Sequence, residues 1–292
     1  MKKIVISTVA ALMLLSSNVI ASEASKAASS EAVSKAKIEA QKRKGDVKII
    51  QEAVEAVALT HKVLLAIEEG KKDKAIKEIE KAIGKLEVVI SAPNAPALIP
   101  IDSSVEAIEF PGSIKDIEIA LISVKALLKN NKIQEARRLL NTLRSEISIK
   151  VINLPLASYP AALKLAAKFL HEDRLDEAKN VLNQALLTFV ETEIITPIPL
   201  LKAEFLISEA KTLAKKDNKK ALEYLKEAKF NLKKAEALGY TSESDTTYKN
   251  LEESIEEIEK EVRGKSEARK LFEELLEKLK EFKEKATKSF SN

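Results

Sequence analysis

The sequence predicts a mainly α fold: a bundle of antiparallel helical hairpins with a small β element and a heptad-patterned helical tail. Three observations lead there. Outside the window from Pro93 to Pro199, which holds all eight prolines, the chain is rich in Ala, Leu, Lys and Glu, residues that cost little in a helix. One helix–turn–helix pattern recurs along it. Between the recurrences lie short Ile- and Val-rich stretches bounded by proline or polar residues, as strands are.

From the N-terminus, Lys2 and Lys3, an apolar run from Ile4 to Leu15 interrupted by Ser7 and Thr8, and a polar stretch ending Val19-Ile20-Ala21 make the three-part layout of a secretory signal peptide over 1–21. The run is shorter than the about 20 apolar residues of a membrane span. Cleavage after Ala21 is therefore expected, with retention as an anchor the alternative. The stretch 22–45 is rich in Ala, Ser and Lys with little apolar periodicity, and reads as a flexible or frayed helical lead. From Asp46 the helical period is clear. Val47, Ile50, Val54, Val57 and Ala58 share a face, Gly70 offers a stop, and a second helix runs from about Asp73 to Ile90.

This hairpin recurs. In Ile67…Ala75, Leu128…Ala136, Leu170…Ala178 and Leu213…Ala221 an aliphatic residue is followed eight positions on by alanine, and four later by Ile79, Leu140, Leu182 or Leu225. The alanine lets two helices approach closely, and the turns between are polar. The last three units are spaced 42 and 43 residues apart, longer than the 34 of a tetratricopeptide repeat. Strand character falls on Ala97–Phe110, Ile147–Leu154 and Glu191–Pro197, enough for a small sheet at one end of the bundle. The main helical domain spans 46–242, and 243–292 is a helical tail. There Leu251, Ile255, Ile258 and Val262, then Ala268, Phe272, Leu275, Leu279, Phe282 and Ala286, keep heptad spacing with a slip near Gly264. The tail is either a coiled coil between chains or a pair of helices packed back on its own.

Composition excludes several functions. Without Lys2 and Lys3 the chain keeps 47 basic and 45 acidic residues, interspersed, so its formal charge falls from +4 to +2. No basic block of the kind that neutralises a phosphate backbone is present, and nucleic acid is not an expected partner. There is no cysteine, hence no disulfide or thiolate metal site. The mature chain from Ser22 also lacks Met and Trp, which suits an oxidising compartment. A core of this size without disulfides points to the periplasm.

No motif carries chemistry. His61 has no second ligand at metal spacing, and His171 sits in the polar turn His-Glu-Asp-Arg. There is no His-Glu-x-x-His, Gly-x-Ser-x-Gly or phosphate loop. No catalytic residue, metal or cofactor is expected. The polar cluster to watch is Asp102-Ser103-Ser104, in an apolar loop, with Tyr159 as a companion. Together they are the candidate ligand-binding residues, against the plainer reading of an Asx or Ser turn closing a hairpin. An unfamiliar catalytic site would need Asp102, Ser103 and Tyr159 in one pocket with a strongly shifted carboxylate.

Four segments taken in order, Leu98-Ile99-Pro100-Ile101-Asp102-Ser103-Ser104, Ile152-Asn153-Leu154-Pro155-Leu156-Ala157-Ser158-Tyr159-Pro160, Ile195-Thr196-Pro197-Ile198-Pro199-Leu200-Leu201-Lys202-Ala203-Glu204 and Ala235-Glu236-Ala237-Leu238-Gly239-Tyr240, resemble the YfdX family over about residues 46–240. The tail lies beyond the pattern. The resemblance implies a mostly helical exported bacterial protein associated with acid and drug stress, for which chaperone-like behaviour has been suggested and no enzymatic activity established. Together with the export signal and the Lys/Glu-rich helices, it leads to the expectation of a periplasmic stress protein that binds unfolded clients or small apolar compounds, with acid as a possible trigger. The alternative is a scaffold or homo-oligomeric assembly module built on the hairpins and the heptad tail.

Overall fold

In a computed structural model, which describes residues 23–241, 246–264 and 268–289, the chain is mainly helical with one small sheet. The signal peptide assigned to 1–21 lies outside the described residues. Eleven helices and three strands follow in the order α1 (Glu23–Asp46), α2 (Gln51–Glu68), α3 (Lys72–Ile90), β1 (Leu98–Ile108), α4 (Ile114–Lys129), α5 (Ile133–Asn141), β2 (Glu146–Pro155), α6 (Tyr159–His171), α7 (Leu175–Leu186), β3 (Val190–Pro197), α8 (Ile198–Leu213), α9 (Asn218–Ala237), α10 (Thr246–Arg263) and α11 (Arg269–Ser289). Among the described residues no helix is long and apolar enough to cross a membrane.

The recurring sequence pattern builds four hairpins, α2–α3, α4–α5, α6–α7 and α8–α9, and the first three share a common turn. Gly70 (φ +67), Asn131 (φ 56) and Asp173 (φ 61) take the left-handed conformation that glycine, asparagine and aspartate tolerate best. The next N–H reaches back to close the helix: Lys71 to Ala66 O at 2.8 Å, Lys132 to Leu127 O at 2.9 Å and Arg174 to Phe169 O at 2.8 Å. The helix after each turn opens with its alanine buried: Ala75, Ala136 and Ala178.

Two of these hairpins pack on each other. α3 lies against α6 and α2 against α7, closing a core of Ala53, Val63, Ile79, Leu86, Leu163 and Leu182 among others. Charge pairs fix the direction. Glu87 near the end of α3 meets Lys164 in the first half of α6 (2.6 Å), and Glu68 at the end of α2 meets Lys179 in the first half of α7 (2.9 Å). Both contacts are antiparallel, so the two hairpins are related as by a two-fold axis along the bundle.

A second core joins α8 and α9 to the tail. Leu251, Ile255, Ile258, Val262, Ala268, Phe272, Leu275, Leu279 and Phe282 are all buried with Leu206, Tyr224, Leu225 and Leu232. The heptad stripe is thus used within the chain, on two helices divided where the spacing slips. The side chain of Ala286 lies outside the described residues.

The sheet is antiparallel in the order β1-β2-β3. It joins the three stretches the sequence marks as strands. Asp102-Ser103-Ser104, expected in a loop, instead sits inside β1. A register shift between Pro100 and Asp102 bulges the strand there, and Asp102, Ser103 and Ser104 face Ile152, Val151 and Lys150. The ladder continues on both sides of the polar triplet, so no turn is needed. The stretch 22–45, read as a flexible or frayed helical lead, is helical from Glu23 as α1. It lies on the sheet face carrying Ile147, Ile149 and Val151, and runs along α8.

Candidate functional site

α1 docks through small side chains. Ala28, Ala32, Ala36 and Ala40 recur every four residues, with Ser29 and Val33 beside them, and this stripe faces α8 and the sheet. Small residues allow close approach but bury little apolar area per residue, at roughly 25 cal/mol per Å². The ion pairs Lys35–Glu31 (2.7 Å) and Arg43–Glu39 (2.5 Å) stay within the helix. Toward α8, Lys35 lies over the Phe205 ring at 4.7 Å.

Between α1, α8, α11 and the sheet runs a groove of about 470 Å³, lined by Ala36 and Ala40 of α1 and floored by Ile147, Ile149, Thr196 and Leu201. It continues along α1 over Phe205 and Leu276. Its rim is charged and balanced: Glu39, Glu204, Glu277 and Glu284 against Lys35, Arg43, Lys280 and Lys283. Lys283 of α11 pairs with Glu204 of α8. An apolar floor with a polar rim suits an extended apolar segment or a small apolar compound.

The opposite face of the sheet carries a polar network. Along β2, Glu146, Ser148 and Lys150 alternate with the groove-side isoleucines. Arg144, just before β2, donates from Nε to Glu146 Oε1 (2.6 Å) and also meets Glu193 of β3 (3.3 Å) and Glu106 of β1 (3.9 Å). Lys150 lies 3.4 Å from Glu106 and 3.9 Å from Glu191. The buried Glu146 carboxylate is completed by Tyr240, whose hydroxyl donates to Oε2 at 2.6 Å and accepts from the Ser145 N–H at 2.9 Å. Burial pulls the Arg144 pKa down, but the Glu146 hydrogen bond and the charges of Glu146, Glu193 and Glu106 hold it above its ordinary value. Burial, then the Glu146 hydrogen bond, pushes the Tyr240 hydroxyl up, so it remains a donor. This is an ion-pair network that ties β1, β2, β3 and the end of α9.

The residues proposed from sequence lie apart from the groove. Asp102 and Ser104 are exposed on β1, Ser103 is buried, and Asp102 Oδ1 accepts from the Ser103 N–H at 2.8 Å. Tyr159 is fully buried in the first core, stacked on Phe189 at 5.5 Å. Its hydroxyl donates to Thr60 Oγ1 at 3.0 Å, and Thr60 donates in turn to Ala56 O at 2.9 Å. Burial raises its pKa to about 12. No hydrogen bond joins Tyr159 to Asp102, Ser103 or Ser104. His61 and His171 are both exposed, and among the described residues no group of His, Cys, Asp or Glu is placed to hold a metal. Sequence reasoning missed the groove. Its signal was the four-residue alanine stripe of α1, which a search for large apolar residues passes over.

The YfdX family model, described as YfdX protein, matches residues 56–194. The match covers α2 through β3 but for the first turn of α2 and the last residues of β3. A solved structure of YfdX from Salmonella Typhi is similar at 16% identity and a TM-score of 0.37, covering 52% of this chain and 94% of that one. No curated protein matches the chain.

Proposed function

We propose, from the premise that residues 56–194 belong to the YfdX family, that this chain is an exported, periplasmic stress-associated binding protein and not an enzyme. It holds apolar segments of unfolding clients, or small apolar compounds, in the groove beneath α1. The observation that carries this reading is the weak cover. α1 closes an apolar floor of Ile147, Ile149 and Leu201 with a stripe of alanines, and its own ion pairs are internal.

Acid favours opening by the same geometry. At neutral pH the four acids and four cations of the rim balance. Near pH ~4 the whole chain gains about twenty positive charges on reference values. Lys35 and Arg43 of α1 share the rim with Lys280 and Lys283 of α11, so a rise in net positive charge favours α1 moving outward.

Aggregation of a stressed periplasmic client, followed by light scattering with the mature chain from Ser22 at pH 7 and near pH 4, tests the proposal. Suppression that exceeds an inert helical control and grows in acid is the expected result. No suppression at either pH would sink the holdase reading. The alternative reading, an assembly module, draws no support from the heptad stripe, which is buried within the chain.

A further inference from the structure

The groove beneath α1 is long as well as apolar. The cavity of about 470 Å³ over Ile147 and Ile149 adjoins a second, of about 510 Å³, over Phe205 and Leu276. Ala36, Leu201 and Lys280 line both, so the two form one channel. Along α1 it runs from Ala32 to Arg43, about 16 Å at the helical rise of about 1.5 Å per residue. An extended hydrocarbon chain of about a dozen carbons, with bonds of about 1.5 Å in zigzag, has a comparable length. The floor also selects by what it lacks. Ile147 and Ile149 lie on β2, the middle strand, whose backbone pairs with β1 on one side and β3 on the other. The backbone of α1, α8 and α11 is spent within the helices. Thr196 and Ser208 are the uncharged polar side chains of the lining. A peptide laid here would bring a row of N–H and C=O groups without partners, each costly to bury. A hydrocarbon chain brings none.

The rim supplies charges for a head group. Arg43 is paired with Glu39, Lys35 with Glu31 and Lys283 with Glu204. Glu277, Lys280 and Glu284 of α11 remain, all exposed, and they form no ion pair among the described residues. Spacings of three and four put them in one row on the helix, negative, positive, negative, with Lys280 where the two cavities join. We propose that the channel binds a single-chain zwitterionic amphiphile of the lysophospholipid kind. The acyl chain lies along the apolar floor, the phosphate meets Lys280, and the ammonium of the head meets Glu277 or Glu284. A purely anionic head would satisfy Lys280 but stand between two carboxylates, and a purely cationic head would stand against Lys280.

This assignment rests on the groove reading and takes its small-compound arm, so binding is measured apart from client protection. Calorimetric titration of the mature chain from Ser22 at pH 7 uses dodecylphosphocholine, dodecanoate and dodecyltrimethylammonium, each below its micelle concentration. Dodecylphosphocholine should bind saturably at one site, about tenfold tighter than either singly charged probe of the same chain length. Ala36→Phe, at a half-buried position lining both cavities, should fill the junction and abolish binding with circular dichroism unchanged. Lys280→Glu, at an exposed position the fold does not need, should weaken dodecylphosphocholine about tenfold and leave dodecyltrimethylammonium no weaker. Equal affinity for the three heads overturns the proposal, as does binding that ignores both substitutions. A chain that binds none of the probes yet still protects an aggregating client overturns it and leaves the groove to peptide segments. Binding of dodecylphosphocholine with the expected response to both variants, but without client protection, upholds it and sinks the holdase reading alone.

Discussion

Hairpins α2–α3 and α4–α5 are written in nearly the same code and end in different environments. Each has an aliphatic residue, a polar turn closed by a left-handed Gly or Asn, an alanine that lets the second helix approach, and an aliphatic residue one turn later. In the first the two aliphatic positions, Ile67 and Ile79, are sealed by α6 and α7, and in the second Leu128 and Leu140 meet solvent. The repeat therefore encodes a hairpin with a sticky face, and what covers that face is decided elsewhere. Hairpin formation is local, because the turn and the alanine suffice. Burial is not local, because it needs a second hairpin at the right place.

The comparison can be broken most forcefully at Ile79. Ile79→Ala should cost about 2–5 kcal/mol in urea unfolding, whereas Leu140→Ala at the equivalent position should stay within about 0.5 kcal/mol for the monomer. Similar costs at the two sites would mean that the α4–α5 face is covered within the chain. Tyr240→Phe comes next. It removes a donor from the buried Glu146 carboxylate and should cost about 1–3 kcal/mol. Tyr159→Phe, whose partner Thr60 keeps its own bond to Ala56, should cost about 0.5–1.5 kcal/mol. Equal losses would argue against a charged acceptor at Tyr240.

The smallest effects lie in titration, and they have opposite signs. The Lys229 hydrogen bond holds Glu256 below its ordinary pKa, and Lys211 with Arg269 does the same for Glu273. Both carboxylates therefore stabilise the folded state above the unfolded value of ~4.3, and that contribution disappears as pH falls through the lowered folded values. Glu227, half-buried beside Asn231, is raised by desolvation, so its ionised form burdens the fold at neutral pH and protonation relieves it. Glu227→Gln should thus raise the melting temperature at pH 7 and lose that advantage in acid, while Glu256→Gln should lower it at pH 7 and converge with the parent in acid. A Glu227→Gln variant less stable at pH 7 would contradict the sign.

Much of the fold was legible because its signals are local. The alanine-spaced hairpins, the Ile/Val strands and the break near Gly264 all concern residues within one or two turns of each other. The sheet position of Asp102-Ser103-Ser104 was not, because a polar triplet in an apolar stretch suits a turn as well as a bulged strand. Only the ladder with Ile152, Val151 and Lys150 decides between them. The role of α1 escaped for a different reason: four alanines at four-residue spacing are weakly apolar, yet they let α1 approach the sheet closely. The network of Arg144 with Glu106, Glu146 and Glu193 draws residues from three strands, and register alone assembles it.

The groove reading rests on α1 moving away from the floor made by Ile147, Ile149 and Leu201. The chain has no cysteine, so a pair introduced to join α1 to α8 gives a lock without competing thiols. Client aggregation near pH 4 should be measured with the lock oxidised and again after reduction. The account predicts that the oxidised protein loses its protection and that reduction restores it. Equal protection in both states would contradict it, since binding would then take place without uncovering the groove.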